Sequence, residues 1–170
     1  MAIDFRAVSG ASGVLDDRGF KACLPSTTPV LSLAIDRIQT SAQTFPSPDL
    51  RSIEGENGHT LRRHVGLADE ALRDRALRTH HDVSCFDDAR TAQATVDTAF
   101  AENQGKIARW VAANRRGHLD LHVHLDREVG RVYRYDTSGI ERSAEADVIL
   151  ESRPTLPDGY TVVTAYPSAS

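Results

Sequence analysis

From residue 60 to residue 111 apolar side chains recur every three or four positions, and from residue 118 they recur every second position. Leu61, His64 and Val65 fall at i, i+3 and i+4, one face of a short helix that Gly66 ends or bends. Asp69 is suited to cap a second helix running to about Arg78, with Leu72 and Ala76 one turn apart. The longest helical pattern joins Ala89, Ala92, Val96, Ala99, Phe100, Ile107, Trp110 and Val111. Ser84-Cys85-Phe86-Asp87 before it reads as a capping box with Asp at the fourth position. Gly105 weakens this helix and is expected to divide it, and the helix stops by Asn114, ahead of Gly117.

Leu119, Leu121, Val123 and Leu125 then alternate with Asp120, His122 and His124, which predicts a half-buried strand. Further strands are expected over residues 129–135, 146–151 and 160–166, the last rich in Thr, Val and Tyr. Strict alternation along that last strand puts Tyr160, Val162, Thr164 and Tyr166 on one face. Helices followed by strands predict an α+β fold with a four-stranded antiparallel sheet.

The first fifty residues differ in kind. Turn formers dominate, as in Ser9-Gly10-Ala11-Ser12-Gly13 and Pro46-Ser47-Pro48-Asp49, around a short apolar stretch at residues 30–35. Residues 1–53 are therefore expected to be a partly ordered linker or docking segment, and residues 54–170 the functional domain. No apolar run approaches the ~20 residues of a membrane span, so no membrane insertion by this domain is expected. The N-terminus lacks the basic-then-apolar pattern of a secretory signal.

Apolar residues make up 40% of the chain and charged residues 26%, enough for a core. There are 20 basic and 24 acidic residues, a net charge of −4, which argues against long-range binding to duplex nucleic acid but leaves room for a local basic cleft. Only Lys21 and Lys106 are lysines, so almost all the positive charge is guanidinium. Cys23 and Cys85 match no zinc pattern and form no disulfide framework. They are expected reduced, Cys85 buried.

Seven histidines offer three sites for chemistry. His59 and His64 flank the first helix, where His64 shares the inward face. That spacing suits either a general acid–base group or a structural, half-buried imidazole. His118, His122 and His124 share one strand face with Asp120, a set that a metal would need to complete with ligands from elsewhere, since a strand rises ~3.3 Å per residue. His80 and His81 follow the second helix in an expected solvated loop. Thr164 and Tyr166 project two hydroxyls from the last strand. No phosphate-binding glycine loop and no Gly-x-Ser-x-Gly elbow occurs.

His59-Thr60, Arg63-His64-Val65-Gly66, Leu72, Arg75 and the terminal Thr164-Ala165-Tyr166-Pro167 together resemble the bacterial RNase A-like toxin domain at the C-terminus of contact-dependent growth inhibition proteins and related polymorphic toxins. The resemblance covers about residues 54–167. It implies an RNase A-like fold without that enzyme's disulfides, and an antibacterial endoribonuclease that needs neither metal nor other cofactor and cleaves RNA through a 2′,3′-cyclic phosphate. It assigns the active centre to His64, Arg75, Thr164 and Tyr166. His59 is a candidate second proton-transfer group, and Arg73 competes with Arg75. The implied partners are RNA, tRNA among the candidates, and a cognate immunity protein. The implied route is delivery within a larger effector to the cytoplasm of a target cell. The alternatives are a metal-dependent nuclease built on the strand histidines, and a non-catalytic binding module.

Overall fold

A computed structural model describes residues 44–55, 58–113 and 117–169. Cys23 and the apolar stretch at 30–35 lie outside them. Among the described residues five helices come first in most of the chain order: α1 (Leu50–Ile53), α2 (Thr60–His64), α3 (Asp69–Thr79), α4 (Ala89–Glu102) and α5 (Gln104–Ala112). Six strands of the described residues follow or interrupt them: β1 (Val83–Phe86), β2 (His118–His124), β3 (Gly130–Arg134), β4 (Gly139–Ser143), β5 (Glu145–Ser152) and β6 (Tyr160–Ser168). The α+β class is as expected. The single four-stranded sheet is not: the strands form two three-stranded antiparallel sheets, ordered β1-β3-β4 and β2-β5-β6.

Two strands account for the difference. Val83–Phe86 is buried at all four residues and pairs with β3, so the segment taken for a capping box is a strand. The cap of α4 is Asp88, whose carboxylate accepts from the Thr91 N–H at 2.7 Å. β4 is an edge strand with a largely exposed, polar sequence, which gives little apolar alternation to read. Helix α4 does divide from α5, at Asn103 rather than Gly105. The chain changes sheets after β2. β3 begins at Gly130, where a Cβ would stand 2.3 Å from the Cys85 carbonyl oxygen, so only glycine fits.

The larger core lies between α4–α5 and one face of β2-β5-β6, with Leu121, Val123, Val148, Leu150 and Val162 against Val96, Phe100 and Ile107. A smaller cluster joins Leu72 and Ala76 of α3 to Val83, Cys85 and Tyr133. Cys85 is a buried free thiol. Residues ahead of the expected boundary at residue 53 pack on the domain. Phe45 and Leu50 belong to the larger core, the Tyr160 hydroxyl donates to the Pro46 carbonyl at 2.9 Å, and Gln93 and Gln104 bond the backbone of Leu50 and Phe45. Among the described residues no helix is long and apolar enough to cross a membrane.

Candidate active site

The polar face of β2-β5-β6 is turned away from the core. Antiparallel register lines up His122, Asp147 and Tyr166 across the three strands, and Asp120, Ile149 and Thr164 in the next row. Strict alternation along β6 would have put Thr164 and Tyr166 on the same face as Val162. A register shift in the β5–β6 pairing prevents this: Ile149 faces Thr164 while Leu150 faces Val162, leaving Val163 as an extra residue. Tyr160, Val162 and Ala165 consequently face the core, and Thr164 and Tyr166 turn to the polar side.

The start of α2 clamps this bulge. The His59 N–H donates to the Val163 carbonyl at 3.0 Å, and the Ala165 N–H donates to the buried Thr60 Oγ1 at 2.9 Å. Gly58 permits the approach, since a Cβ there would lie 2.8 Å from the Val162 carbonyl oxygen. Glu54 satisfies the free donors of α2 by accepting from the Leu61 and Arg62 N–H groups at 2.9 and 3.1 Å. Gly58-His59-Thr60 thus fixes α2 against the strand that carries the two hydroxyls.

His64, the last residue of α2, is half-buried, and its ring lies 5.4 Å from that of Tyr166 and 6.3 Å from that of His59. Its Nδ1 is 3.1 Å from the Ser84 carbonyl oxygen. A carbonyl only accepts, so Nδ1 carries the hydrogen and Nε2 of the neutral ring is left as the acceptor. Burial pushes the His64 pKa down to about 4, against the Ser84 contact, and the nearby charge of Arg75 acts in the same direction as burial. His59 is also lowered, by burial first and by Arg63 next, with Glu54 opposing. Burial, with Asp147 and Asp120 adding to it, raises the Tyr166 pKa and keeps its hydroxyl a donor at neutral pH. Thr164 Oγ1 is buried and finds no hydrogen-bond partner among the described residues.

Arg75 reaches the same place from α3, where its Nη1 donates to the Arg63 carbonyl at 2.8 Å and ties the end of α2 to α3. Arg73 lies on another side of α3, lining a groove with Asp69, Tyr133 and Ile140, apart from the groove that Arg75 lines with Arg63. The structure therefore gathers His59, His64, Thr164, Tyr166 and Arg75, and leaves Arg73 elsewhere. His118, His122 and His124 share an exposed strand face as expected, and His122 bonds Asp147 through Nδ1 at 2.9 Å. Among the described residues no three His, Cys, Asp or Glu side chains are grouped to hold a metal ion. His80 caps α3 in the left-handed conformation, with its ring edge-on to Tyr135 at 5.5 Å. The sequence reading missed Asp147 and its pairing with His122, which only the strand register reveals.

Residues 58–167 match the family model of the bacterial CdiA-CT RNAse A domain. The fold is similar to a chain in the crystal structure of a CdiA-CT/CdiI complex from Y. kristensenii 33638, with a TM-score of 0.62 and 27% sequence identity, covering 66% of this chain and 100% of that one. No curated protein matches the sequence. The family match spans more than half of the chain and includes every residue gathered at the site, so this protein belongs to the bacterial CdiA-CT RNAse A domain family, the RNase A-like toxin domains of contact-dependent growth inhibition.

Proposed function

We propose that the protein is an endoribonuclease toxin that cleaves RNA by transesterification to a 2′,3′-cyclic phosphate, without a metal. The observation that carries this reading is the state of His64. Its Nδ1–H is held by Ser84, its Nε2 is left as an acceptor, and its ring lies 6.3 Å from that of His59 and 5.4 Å from that of Tyr166. In the proposed reaction Nε2 takes the proton of the ribose 2′-hydroxyl, the 2′-oxygen bonds to phosphorus, and the bond from phosphorus to the 5′-oxygen breaks. DNA lacks the nucleophile, so selectivity for RNA follows from the chemistry.

The leaving oxygen needs a proton, and His59 is the second imidazole within reach of the same phosphate. An anionic phosphate beside it favours its charged, donating form. Arg75 stabilises the charge that grows on the phosphoryl oxygens, and the Tyr166 hydroxyl donates to one of them. Thr164, with no hydrogen-bond partner for Oγ1 among the described residues, orients the phosphate or a base edge. By analogy with the CdiA-CT/CdiI complex, a cognate immunity protein is the second partner, and the chain acts in a target cell after delivery within a larger effector.

The test is cleavage of total cellular RNA with and without EDTA by the wild type, His64→Ala and His59→Ala. Full wild-type activity in EDTA, cyclic phosphate ends and loss of cleavage in both variants are expected. On a substrate with an aryl leaving group, which departs without a proton, His59→Ala should regain activity and His64→Ala should not. Cleavage abolished by EDTA would turn the reading toward a metal-dependent nuclease, and undiminished cleavage by His64→Ala would end it.

A further inference from the structure

The first turn of α2 is capped from outside the helix. His59 holds the N-cap position, where Ser, Thr, Asp or Asn ordinarily accepts a backbone N–H of that turn, yet its side chain caps nothing. Glu54 does so instead: Oε2 accepts the Leu61 N–H at 2.9 Å and Oε1 the Arg62 N–H at 3.1 Å. The chain turns back to bring the carboxylate there, with the Gly55 N–H donating to the Gly58 carbonyl at 2.9 Å and a parallel bridge joining Glu54 to Gly58. Glu54 lies ahead of residues 58–167, the stretch matched by the family. Residue 59 is thereby released from capping. A serine or asparagine there would secure the helix but could supply no proton; an imidazole can.

That imidazole stands among cations. Arg62 and Arg63 follow it on α2 and Arg75 approaches from α3, while the His64 ring lies 6.3 Å away with Tyr166 of β6 beyond it. The three guanidinium groups oppose a charge on His59, and the Glu54 carboxylate favours it. We propose that Glu54 is a positioning residue for the proton donor, fixing α2 behind His59 and supporting the imidazolium that protonates the leaving 5′-oxygen. The inference rests on the ribonuclease reading, in which His59 is that donor. An acid must carry its proton when substrate arrives, and a carboxylate fixed beside it favours the charged form.

The experiment compares the wild type, Glu54→Gln, His59→Ala and the double variant. Glutamine keeps the length and one acceptor for α2 and removes the charge, and circular dichroism checks the fold. Histidine C–H resonances followed by NMR against pH report the titrations of His59 and His64 whether or not RNA is cleaved. In Glu54→Gln the His59 titration should move to lower pH. That of His64 should stay, since the charges acting on it are Arg75, His59 and Arg63. On the alkaline side of the profile, where neutral His59 cannot donate, kcat/KM should fall roughly two- to fivefold, the scale of an exposed ion pair. On the acid side it should be unchanged, and in His59→Ala the same substitution should leave the profile's shape alone. An unmoved His59 titration in folded Glu54→Gln would overturn the proposal and leave the ribonuclease reading standing. A moved titration in a protein that cleaves no RNA would keep the hold of Glu54 on His59 and sink that reading. A loss of rate that persists without His59 would reduce Glu54 to a helix cap and overturn the proposal.

Discussion

Tyr166 and His64 stand ring to ring at 5.4 Å, inclined by 35°, while the β5 residue opposite Tyr166 is Asp147. The phenol thereby lies between the His64 imidazole and a carboxylate-bearing sheet face. Its hydroxyl stays protonated, because burial and the carboxylates of Asp147 and Asp120 oppose ionisation. Tyr166→Phe keeps the ring contact and removes only that donor. If the donor serves the transition state, kcat should fall by roughly 10²-fold with KM and melting temperature little changed. Steady-state kinetics on a single-bond oligonucleotide check this, and a change confined to KM would restrict Tyr166 to holding substrate.

The lowered pKa of His64 sets the pH dependence. A general base must be unprotonated, and the acid limb of kcat/KM reports the free enzyme. That limb should lie near pH 4, where His64 takes its proton, with kcat/KM level above it until another group titrates. The limb of kcat belongs to the bound complex, where the phosphate charge favours the imidazolium, so it should lie at higher pH. Stability follows the same group. The unfolded imidazole protonates first, so the stability due to a neutral His64 is present above the ordinary histidine pKa near 6.5. It is lost as pH falls from there through about 4. Urea titrations at several pH values should show this loss in the wild type and a smaller one in His64→Ala.

The segment before residue 54, expected as a partly ordered linker or docking segment, packs on the domain through Phe45 and Leu50. Phe45 meets Tyr160 at 6.1 Å between ring centres, and Tyr160 meets Phe100 at 5.8 Å, so Phe45 closes an aromatic row in the core. Phe45→Ala should cost about 3–5 kcal/mol, the range for a large buried aromatic. A chain beginning at residue 55 should unfold at lower urea than one beginning at residue 44. Equal midpoints for the two chains would show that Phe45 and Leu50 add nothing to the core.

What was legible in the sequence depended on how much apolar contrast each element carries. Helices α3 and α4 and strands β2 and β5 show it plainly, because Leu72 and Ala76, or Leu121 and Val123, repeat at the period of their element. β1 is buried on both faces and too short to alternate, so a helix-start pattern of Ser, Phe and Asp competed with it and was preferred. At the candidate site, His64, Arg75, Thr164 and Tyr166 were singled out through a family pattern. Periodicity alone put Thr164 and Tyr166 on one face with Val162, because a one-residue bulge inverts every later side chain and leaves no local mark. The proximity of His59 to His64 was equally hidden. Five residues do not share a helix face, but His59 precedes the helix with a φ of −147° and so escapes helical spacing.

That bulge makes Thr60 a sharp test of how the site is assembled. Thr60 is buried, and its Oγ1 accepts the Ala165 N–H between Thr164 and Tyr166 of β6. Thr60→Val preserves shape but leaves that N–H buried without a partner, a cost of about 1–3 kcal/mol. Thr60→Ser keeps the acceptor and loses one methyl, so it should recover most of the stability. If the clamp only stabilises the fold, both variants should retain full kcat at a temperature where they are folded. If it also sets the angle between α2 and β6, Thr60→Val should lose kcat by tenfold or more at such a temperature, since misplacing catalytic groups by about 1 Å costs up to 10²-fold. Serine should restore the rate, because it restores the Ala165 hydrogen bond. A Thr60→Val protein that melts early yet cleaves at the wild-type rate when folded would show that Thr164 and Tyr166 keep their aim toward His64 without the clamp.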